Sequence, residues 1–491
     1  MGVFTTVDLI VLVAYLLGVT AWGAWLGRNQ QGGRGYFLGN RELPWGAVLL
    51  SVVATETSTL TFLSIPGVAY LGNLGFLQLT IGYLLGRIVV SGVLLPAYYR
   101  GELNTAYALL EERFGTGTRR FTSGVFMVTR LLADSVRLFL TAIPLALITG
   151  WPYPLSIAVI GVVTLAYTYF GGIRAVVWVD ALQMGLYLVG AISAMVVLQF
   201  AIDGGWGAAL TDASAAGKLA WLDFSLDPSV PYTFWAGVIG GGFLSMASHG
   251  TDQLIVQRLL TCRNLGAAQK ALVGSGVVVM IQFAVFLLVG VGLWAFYGGR
   301  EFAVSDEIFV TFIIQELPIG VTGLLIAGVF AAGMSSLSSS INALASTSAY
   351  DFWAPLTGAG DDDLRIFRAG RVFTLVWASL LIGVAIAYVP MAEGAAAVEV
   401  ALQIASIVYG GFLGAFLLGA LDPRARQGGV IPGMIVGIGI VASIWLFGGG
   451  RVGWPWFVPI GAIVTVGLGA LLSRRGSGSA GVTSGRRPGG G

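Results

Sequence analysis

The stretch "FAAGMSSLSSSIN" (residues 330–342) places five serines within six positions, Ser335 to Ser340, inside an otherwise apolar run. Hydroxyl and carbonyl oxygens are hard donors that suit a hard monovalent cation better than a soft metal. Ala332, Ser335 and Ser336 stand at i, i+3 and i+4 and so share one helix face, with Ser339 one turn further on and Ser338 to its side. Serines at this spacing also act as plain contacts between membrane helices, and the pattern alone supports either reading. A carboxylate bears on the choice. Asp180, in "YFGGIRAVVWVDALQ", lies a few residues past Arg174, and Ser339 lies about three turns before Asp351. At about 1.5 Å per residue these depths differ by a turn or two, so one carboxylate and two hydroxyls can gather around one ion. The competing reading is an ion pair from Asp180 to Arg174 or to a neighbouring helix.

Glu56 sits in "SVVATETSTLTFLSIPG", among Thr55, Thr57, Ser58, Thr59 and Thr61, with Pro66-Gly67 following. So dense a polar run inside an apolar span favours local unwinding, and unwound backbone at membrane depth lines a cavity where its carbonyls can hold a cation or solute. Otherwise the hydroxyls bond back to their own helix and Glu56 pairs with an arginine. A second interruption appears in "LSMASHGTDQLIVQR", where Gly250 stands beside Ser248, His249, Thr251 and Asp252. The two interrupted helices are five spans apart and so run in opposite directions, a pointer to an inverted repeat with a site near the midplane. His249 reads either as a satisfied core residue or as a proton carrier. Arg87, Asp134 and Arg137 are further ionisable residues expected inside spans, where such groups mark function or pair with one another.

These groups need a membrane around them. Of 491 residues 56% are hydrophobic and 10% charged, the mean hydropathy is +0.86, and apolar runs of eighteen or more residues recur from end to end, which predicts an all-α polytopic membrane protein. The runs are too long and continuous for a transmembrane barrel. The 73 glycines suit close helix packing and helix breaks. One cysteine and one histidine exclude a disulfide framework and argue against a His/Cys metal centre. A net charge of +2 gives no case for nucleic acid, and with no nucleophile–base pair or phosphate loop in view an enzyme is not expected.

About thirteen spans are expected, near 7–27, 44–70, 76–99, 121–149, 152–170, 175–202, 233–257, 270–297, 318–350, 366–390, 395–420, 430–448 and 453–472. With the amino terminus outside and the carboxyl terminus cytoplasmic, twenty lysines and arginines fall on inner segments, Arg258 and Arg119 among them, against Lys218, Arg300 and Arg451 outside. The expected location is the plasma (inner) membrane. The first span lacks a basic leader and reads as a helix of the mature chain, and residues 473–491 read as a flexible cytoplasmic tail.

At "ATETSTLTFLSIPGVAY", "GGIRAVVWVDALQ", "TDQLIVQR" and "AGVFAAGMSSLSSSINALASTSAYDFW" the sequence resembles the sodium:solute symporter family, which includes proline permease and the sodium-coupled sugar, sialic acid, iodide and multivitamin transporters. The resemblance runs from about residue 5 to 470. It implies a LeuT-type five-plus-five inverted repeat, about 44–202 and 233–420 within a single domain of residues 1–472, with one helix added before and two after. It also implies a conserved sodium site made of the carbonyls of Ala54, Thr57 and Ala332 and the hydroxyls of Ser335 and Ser336. A second sodium site, present in some members, maps to Asp180, Ser338 and Ser339. Solute-binding positions map to Glu56, Ser58 and Thr61. Arg137 lies one residue from the arginine with which sialic acid transporters grip a carboxylate. The implied activity is import of a small solute, of the amino acid, carboxylate or sugar class, coupled to Na+ by alternating access. Glu56 with Arg137 would suit a zwitterion, or the two would pair with each other; Arg87 would pair with Asp134 or contact solute. The rival readings are proton coupling through Glu56 or Asp180, and a sensor or channel that does not pump.

Overall fold

Apolar runs of this length leave the backbone one economical way to satisfy its N–H and C=O groups away from water, the helix. In the computed structural model, which describes residues 4–475 apart from 29–31, 102, 303–304, 361 and 392–396, every regular element is helical, with one isolated bridge between Leu43 and Cys262. Of the expected tail, residues 476–491 lie outside the described residues, and the last helix continues to Arg475.

The first helix, α1 (Thr6–Gly27), opens on a capping box in which Thr5 N–H donates to Asp8 Oδ2 at 2.9 Å and Asp8 N–H to Thr5 Oγ1 at 3.3 Å. The chain then forms α2 (Trp45–Glu56) and α3 (Thr59–Leu71), two pieces of one expected span bent by 61°. Next come α4 (Leu77–Val93), α5 (Thr116–Thr149) and α6 (Tyr153–Ala201). The second expected break separates α7 (Gly241–Gly250) from α8 (Gln253–Leu259). The long helices that follow are α9 (Leu265–Phe296), α10 (Val321–Thr347), α11 (Asp363–Tyr388), α12 (Ala397–Leu421), α13 (Gln427–Phe447) and α14 (Phe457–Arg475).

Among the described residues, eight helices are long and apolar enough to cross a membrane, nine if α2 and α3 count as one. The shortfall from thirteen has local causes. The expected spans 152–170 and 175–202 are one helical stretch, α6, interrupted at Gly172, whose φ of 51° and ψ of −155° are open to glycine alone. The chain folds sharply there: a β-carbon on Gly23 would lie 2.7 Å from Tyr167 Cβ and 3.3 Å from Val179 Cγ2, although twelve helical residues span about 18 Å. Helix α5 carries Arg130, Asp134 and Arg137, and α7 and α8 are only 10 and 7 residues long.

Helix α10 is the axis of the molecule. Every residue from Leu325 to Thr347 is buried, so its serines face protein and not lipid. Its first turn is capped from afar, because Asp8 Oδ1 accepts from the N–H groups of Gly320 and Gly323, each at 2.8 Å. A carboxylate at a helix start satisfies orphan donors and complements the dipole, so α1 is fastened to α10 by the residue that also begins α1. Across the bundle α4 meets the start of the α7 segment by backbone contact: a β-carbon at Gly82 would lie 2.2 Å from Gly237 O. Small residues make this approach possible.

Candidate functional site

The break between α2 and α3 follows from its hydroxyls. Thr55 Oγ1 donates to Ser51 O at 2.7 Å and Thr57 Oγ1 to Val53 O at 2.9 Å, bonds that compete with the helical ladder. Thr57 (ψ 84°) and Ser58 (ψ 169°) then leave helical geometry. The Ser58 N–H, which in a continuous helix would reach Ala54 O, donates to Glu56 O at 3.0 Å. Ala54 O is thereby released from the ladder. Thr57 also receives Gln282 Nε2 of α9 at 2.9 Å.

Two contacts lay this break along α10. Thr55 Oγ1 is 3.3 Å from Ser339 Oγ, and Thr59 Oγ1 donates to Val329 O at 3.2 Å. Ala332, Ser335 and Ser336 lie between those two points on α10, so the break runs alongside the turns that carry them. Ser336 Oγ donates to Ala332 O at 3.3 Å. Ser335 Oγ turns the other way, to Asp180 Oδ1 at 2.7 Å.

Asp180, on α6 and fully buried, is engaged at both oxygens. Oδ2 accepts from Ser51 Oγ at 2.7 Å and from Arg258 Nη2 at 3.1 Å. Arg258 Nη2 also donates to Ser339 Oγ, and Nε to Ser51 Oγ at 2.9 Å. The ion pair from Asp180 therefore goes to a neighbouring helix and not to Arg174. Arg258, counted among the inner-segment arginines, stands on α8 and not in a loop, and it is fully buried. Ser338 Oγ and Ser339 Oγ both bond back to Ser335 O, at 3.0 and 2.5 Å.

Of the alternatives left open for the break, the structure takes the one in which the hydroxyls bond back to their own helix and Glu56 pairs with an arginine. Glu56 does not meet Arg137, nor Arg87 Asp134. Glu56, the last residue of α2, pairs with the buried Arg87 of α4, whose Nη1 donates to Ser275 Oγ of α9 at 3.0 Å. Its other neighbour is His249 of α7, Nε2 to Oε2 3.6 Å, with His249 Nδ1 2.8 Å from Ser248 Oγ. Arg137 bonds Asp134, one turn back on α5, at 2.8 Å, and Asp134 Oδ2 accepts from Ser340 of α10. Ser58 is buried and Thr61 half-buried. Glu56 and Arg137 keep side-chain exposures of 19% and 17%, which distinguishes them from the sealed Arg87.

Two further clusters went unread in the sequence. Arg130 of α5 joins Asp252, at the α7–α8 break, and the Tyr409 hydroxyl of α12, around a small cavity walled by Phe126, Val408 and Phe412. Asp351 accepts from Arg119 Nη2 at 2.7 Å, Thr105 Oγ1 at 2.7 Å and Ser123 Oγ at 2.6 Å. Arg119 also holds Glu111; burial pushes the Glu111 carboxyl up, but Arg119 and Thr116 outweigh it and hold it below its ordinary value. The signal was available, since positions 119, 123, 130, 134 and 137 form one stripe of α5 at helical spacing.

Two helices broken at mid-length, the first laid along a buried serine-bearing helix, form the architecture of a secondary transporter that holds its load at released backbone and hydroxyl oxygens. The chain belongs to the sodium:solute symporter family, whose profile matches residues 36–437. It is 29% identical over 486 residues to the sodium/sialic acid symporter of Aliivibrio fischeri, covering 96% of this chain and 93% of that one. The human sodium/iodide cotransporter is 30% identical over 457 residues, 89% of this chain and 69% of that one. Among solved structures, a Na+-coupled sialic acid symporter in a substrate-bound outward-open state superposes with a TM-score of 0.85 at 26% identity, covering 96% of this chain and 98% of that one. A nucleobase-cation-symport-1 family transporter shares the fold at a TM-score of 0.57 and 13% identity. The protein is thus a multi-pass membrane symporter of small solutes with sodium as its coupling ion, and not an enzyme.

Proposed function

We propose that the sodium ion is held by the carbonyls of Ala54, Thr57 and Ala332 and the hydroxyls of Ser335 and Ser336, and that the solute carries a carboxylate. The observation that carries the first part is the release of Ala54 O at a break bracketed by the Thr55–Ser339 and Thr59–Val329 contacts. Sodium would replace its water shell with oxygens from α2 and α10, joining the two helices and favouring the outward-open state; solute then closes the outer side and the ion is released inward. Each charge moved is worth about 2.3 kcal/mol per 100 mV, and any tightening of solute by sodium must be returned in equal measure.

The solute class is argued from unpaired donors. Nε of Arg137 and Nε of Arg87 are buried and have no hydrogen-bond partner among the described residues, and the Arg137 charge is already balanced by Asp134. A guanidinium with a free edge suits a carboxylate. Relatives named for sialic acid and for monocarboxylates support that class. Glu56, Ser58 and Thr61 would line the same space, with Glu56 an acceptor for any amine or hydroxyl the solute bears.

In this reading the chain crosses the membrane thirteen times, with α6 counted as two crossings and each broken helix as one. The core repeats are residues 44–202 and 233–420, the amino terminus faces outside, and the membrane is the plasma (inner) membrane. A thermal-shift panel of amino acids, carboxylates and sugars, with sodium and with potassium, tests the proposal, because a ligand stabilises what it binds. A carboxylate that stabilises in sodium alone supports it. Hits confined to neutral sugars refute the solute class. Uptake in acidic, sodium-free buffer refutes the ion assignment, and absence of solute counterflow in liposomes refutes pumping.

A further inference from the structure

The oxygens expected to form a second sodium site are taken. Asp180 Oδ1 holds Ser335, Oδ2 holds Ser51 and Arg258, and Ser339 accepts from Arg258 while donating to its own helix. A guanidinium lies where a small cation would have to sit, so the site in this arrangement does not fit sodium. The guanidinium is well held: beyond Asp180, Ser339 and Ser51, Nη1 donates to Leu254 O at 2.5 Å, and the residue is fully buried. Two charges of one sign cannot share one carboxylate in a dry interior without a large electrostatic cost.

The tether matters as much as the charge. Arg258 belongs to α8, the seven-residue half-helix beyond the second break. The other polar side chains of α8 also lie against α10: Gln257 Nε2 donates to Asn342 Oδ1 at 2.7 Å and Gln253 Nε2 to Ser346 Oγ at 3.4 Å. Of these three fastenings Arg258 is the one that carries charge. Withdrawing it from Asp180 therefore loosens α8 from the serine helix.

We propose that Arg258 and a second sodium ion are alternative occupants of the Asp180–Ser339 position, so that the ion enters only when the guanidinium withdraws and α8 slackens. The inference rests on the assignment of the first sodium to Ala54, Thr57, Ala332, Ser335 and Ser336, which it leaves unchanged. Its consequence is a penalty on the second ion, because the apparent affinity of a site is reduced by the fraction of time the site is competent. A guanidinium that is away no more than a tenth of the time weakens second-site binding about tenfold or more.

The test is equilibrium binding of radioactive sodium to the purified full chain, with thermal stability followed over the same titration. Arg258→Gln removes the tethered charge and keeps hydrogen-bonding atoms; Arg258→Lys keeps a tethered charge. The expected result is a second sodium site in Arg258→Gln that fills at roughly tenfold lower sodium than any second site in wild type, with Arg258→Lys resembling wild type. The double variant Asp180→Asn/Arg258→Gln has no buried unpaired charge and serves if the single variant folds poorly. It is expected to lose the second site. Unchanged or weaker second-site binding in Arg258→Gln, or a second ion retained in the double variant, overturns the proposal. Loss of all sodium binding from Arg258→Gln at wild-type thermal stability would instead count against the first-site assignment, since that variant keeps Asp180 and its bond to Ser335.

Discussion

Among the described residues Ser336 makes one hydrogen bond through its hydroxyl, to Ala332 O on its own helix at 3.3 Å. The proposed sodium site asks that hydroxyl to turn and meet the ion. Ser336→Ala therefore removes a proposed ligand while taking little from the fold, since a bond back along the helix adds little and alanine is the better helix former. An oxygen facing a full charge contributes on the order of 1.5–3 kcal/mol, so sodium affinity should fall between about tenfold and a hundredfold. The consequence for stability can be worked out. At a sodium concentration a hundred times the wild-type dissociation constant, binding stabilises by about 2.7 kcal/mol. A thirtyfold loss of affinity leaves about 0.9 kcal/mol at the same concentration. The assay is thermal unfolding titrated with sodium against potassium, beside uptake in proteoliposomes. Expected are an unchanged midpoint without sodium, a sodium-induced stabilisation cut to about a third, and a raised sodium half-saturation for uptake. Equal sodium half-saturation in both proteins would refute the ligand role, and a fall in stability without sodium as large as the fall with it would return Ser336 to packing.

Glu56→Gln leaves the buried Arg87 without its counter-ion, at an expected cost of about 3–5 kcal/mol; thermal unfolding should show much of this recovered in Glu56→Gln/Arg87→Met. Gly172→Ala forces a side chain onto φ 51°, ψ −155° and should destabilise by about 1–3 kcal/mol, whereas Gly185→Ala, which meets nothing within 4 Å, should be near neutral in the same measurement. Cys262, the one cysteine of the chain, is buried just beyond α8, and burial pushes its thiol up to about 12. Maleimide labelling followed by mass spectrometry should therefore be slow at pH 7.5 in the arrangement described here and faster in any state that swings α8 away; fast labelling under all conditions would mean that α8 is not seated as described.

Both helix breaks were legible in the sequence because their cause is local. A run of hydroxyls at Thr55, Thr57 and Ser58, or Gly250 beside Thr251 and Asp252, competes with the helical ladder wherever the helix is placed. The serine run of α10 was legible for the same reason, although Ser335 turns to Asp180 while Ser336 bonds back to Ala332 O. Charge pairing was not. Whether Glu56 takes Arg87 or Arg137 depends on which helices pack together, and no local rule ranks a partner 31 positions away against one on α5. Only the pairs one turn apart on α5, Arg137–Asp134 and Arg130–Asp134, were open to reading from spacing. Arg258 shows the limit most clearly: "LIVQRLL" reads by hydropathy as a span meeting its inner loop. Depth along a continuous helix follows from counting residues, but a half-helix freed by a break can tilt, and a long side chain then reaches back toward Ser339, on a helix that lies 81 positions further along the chain. A helix break thus conceals its charged neighbour from a reading by spans. Charged residues within a turn or two of a predicted break are better weighed as site residues than as loop residues.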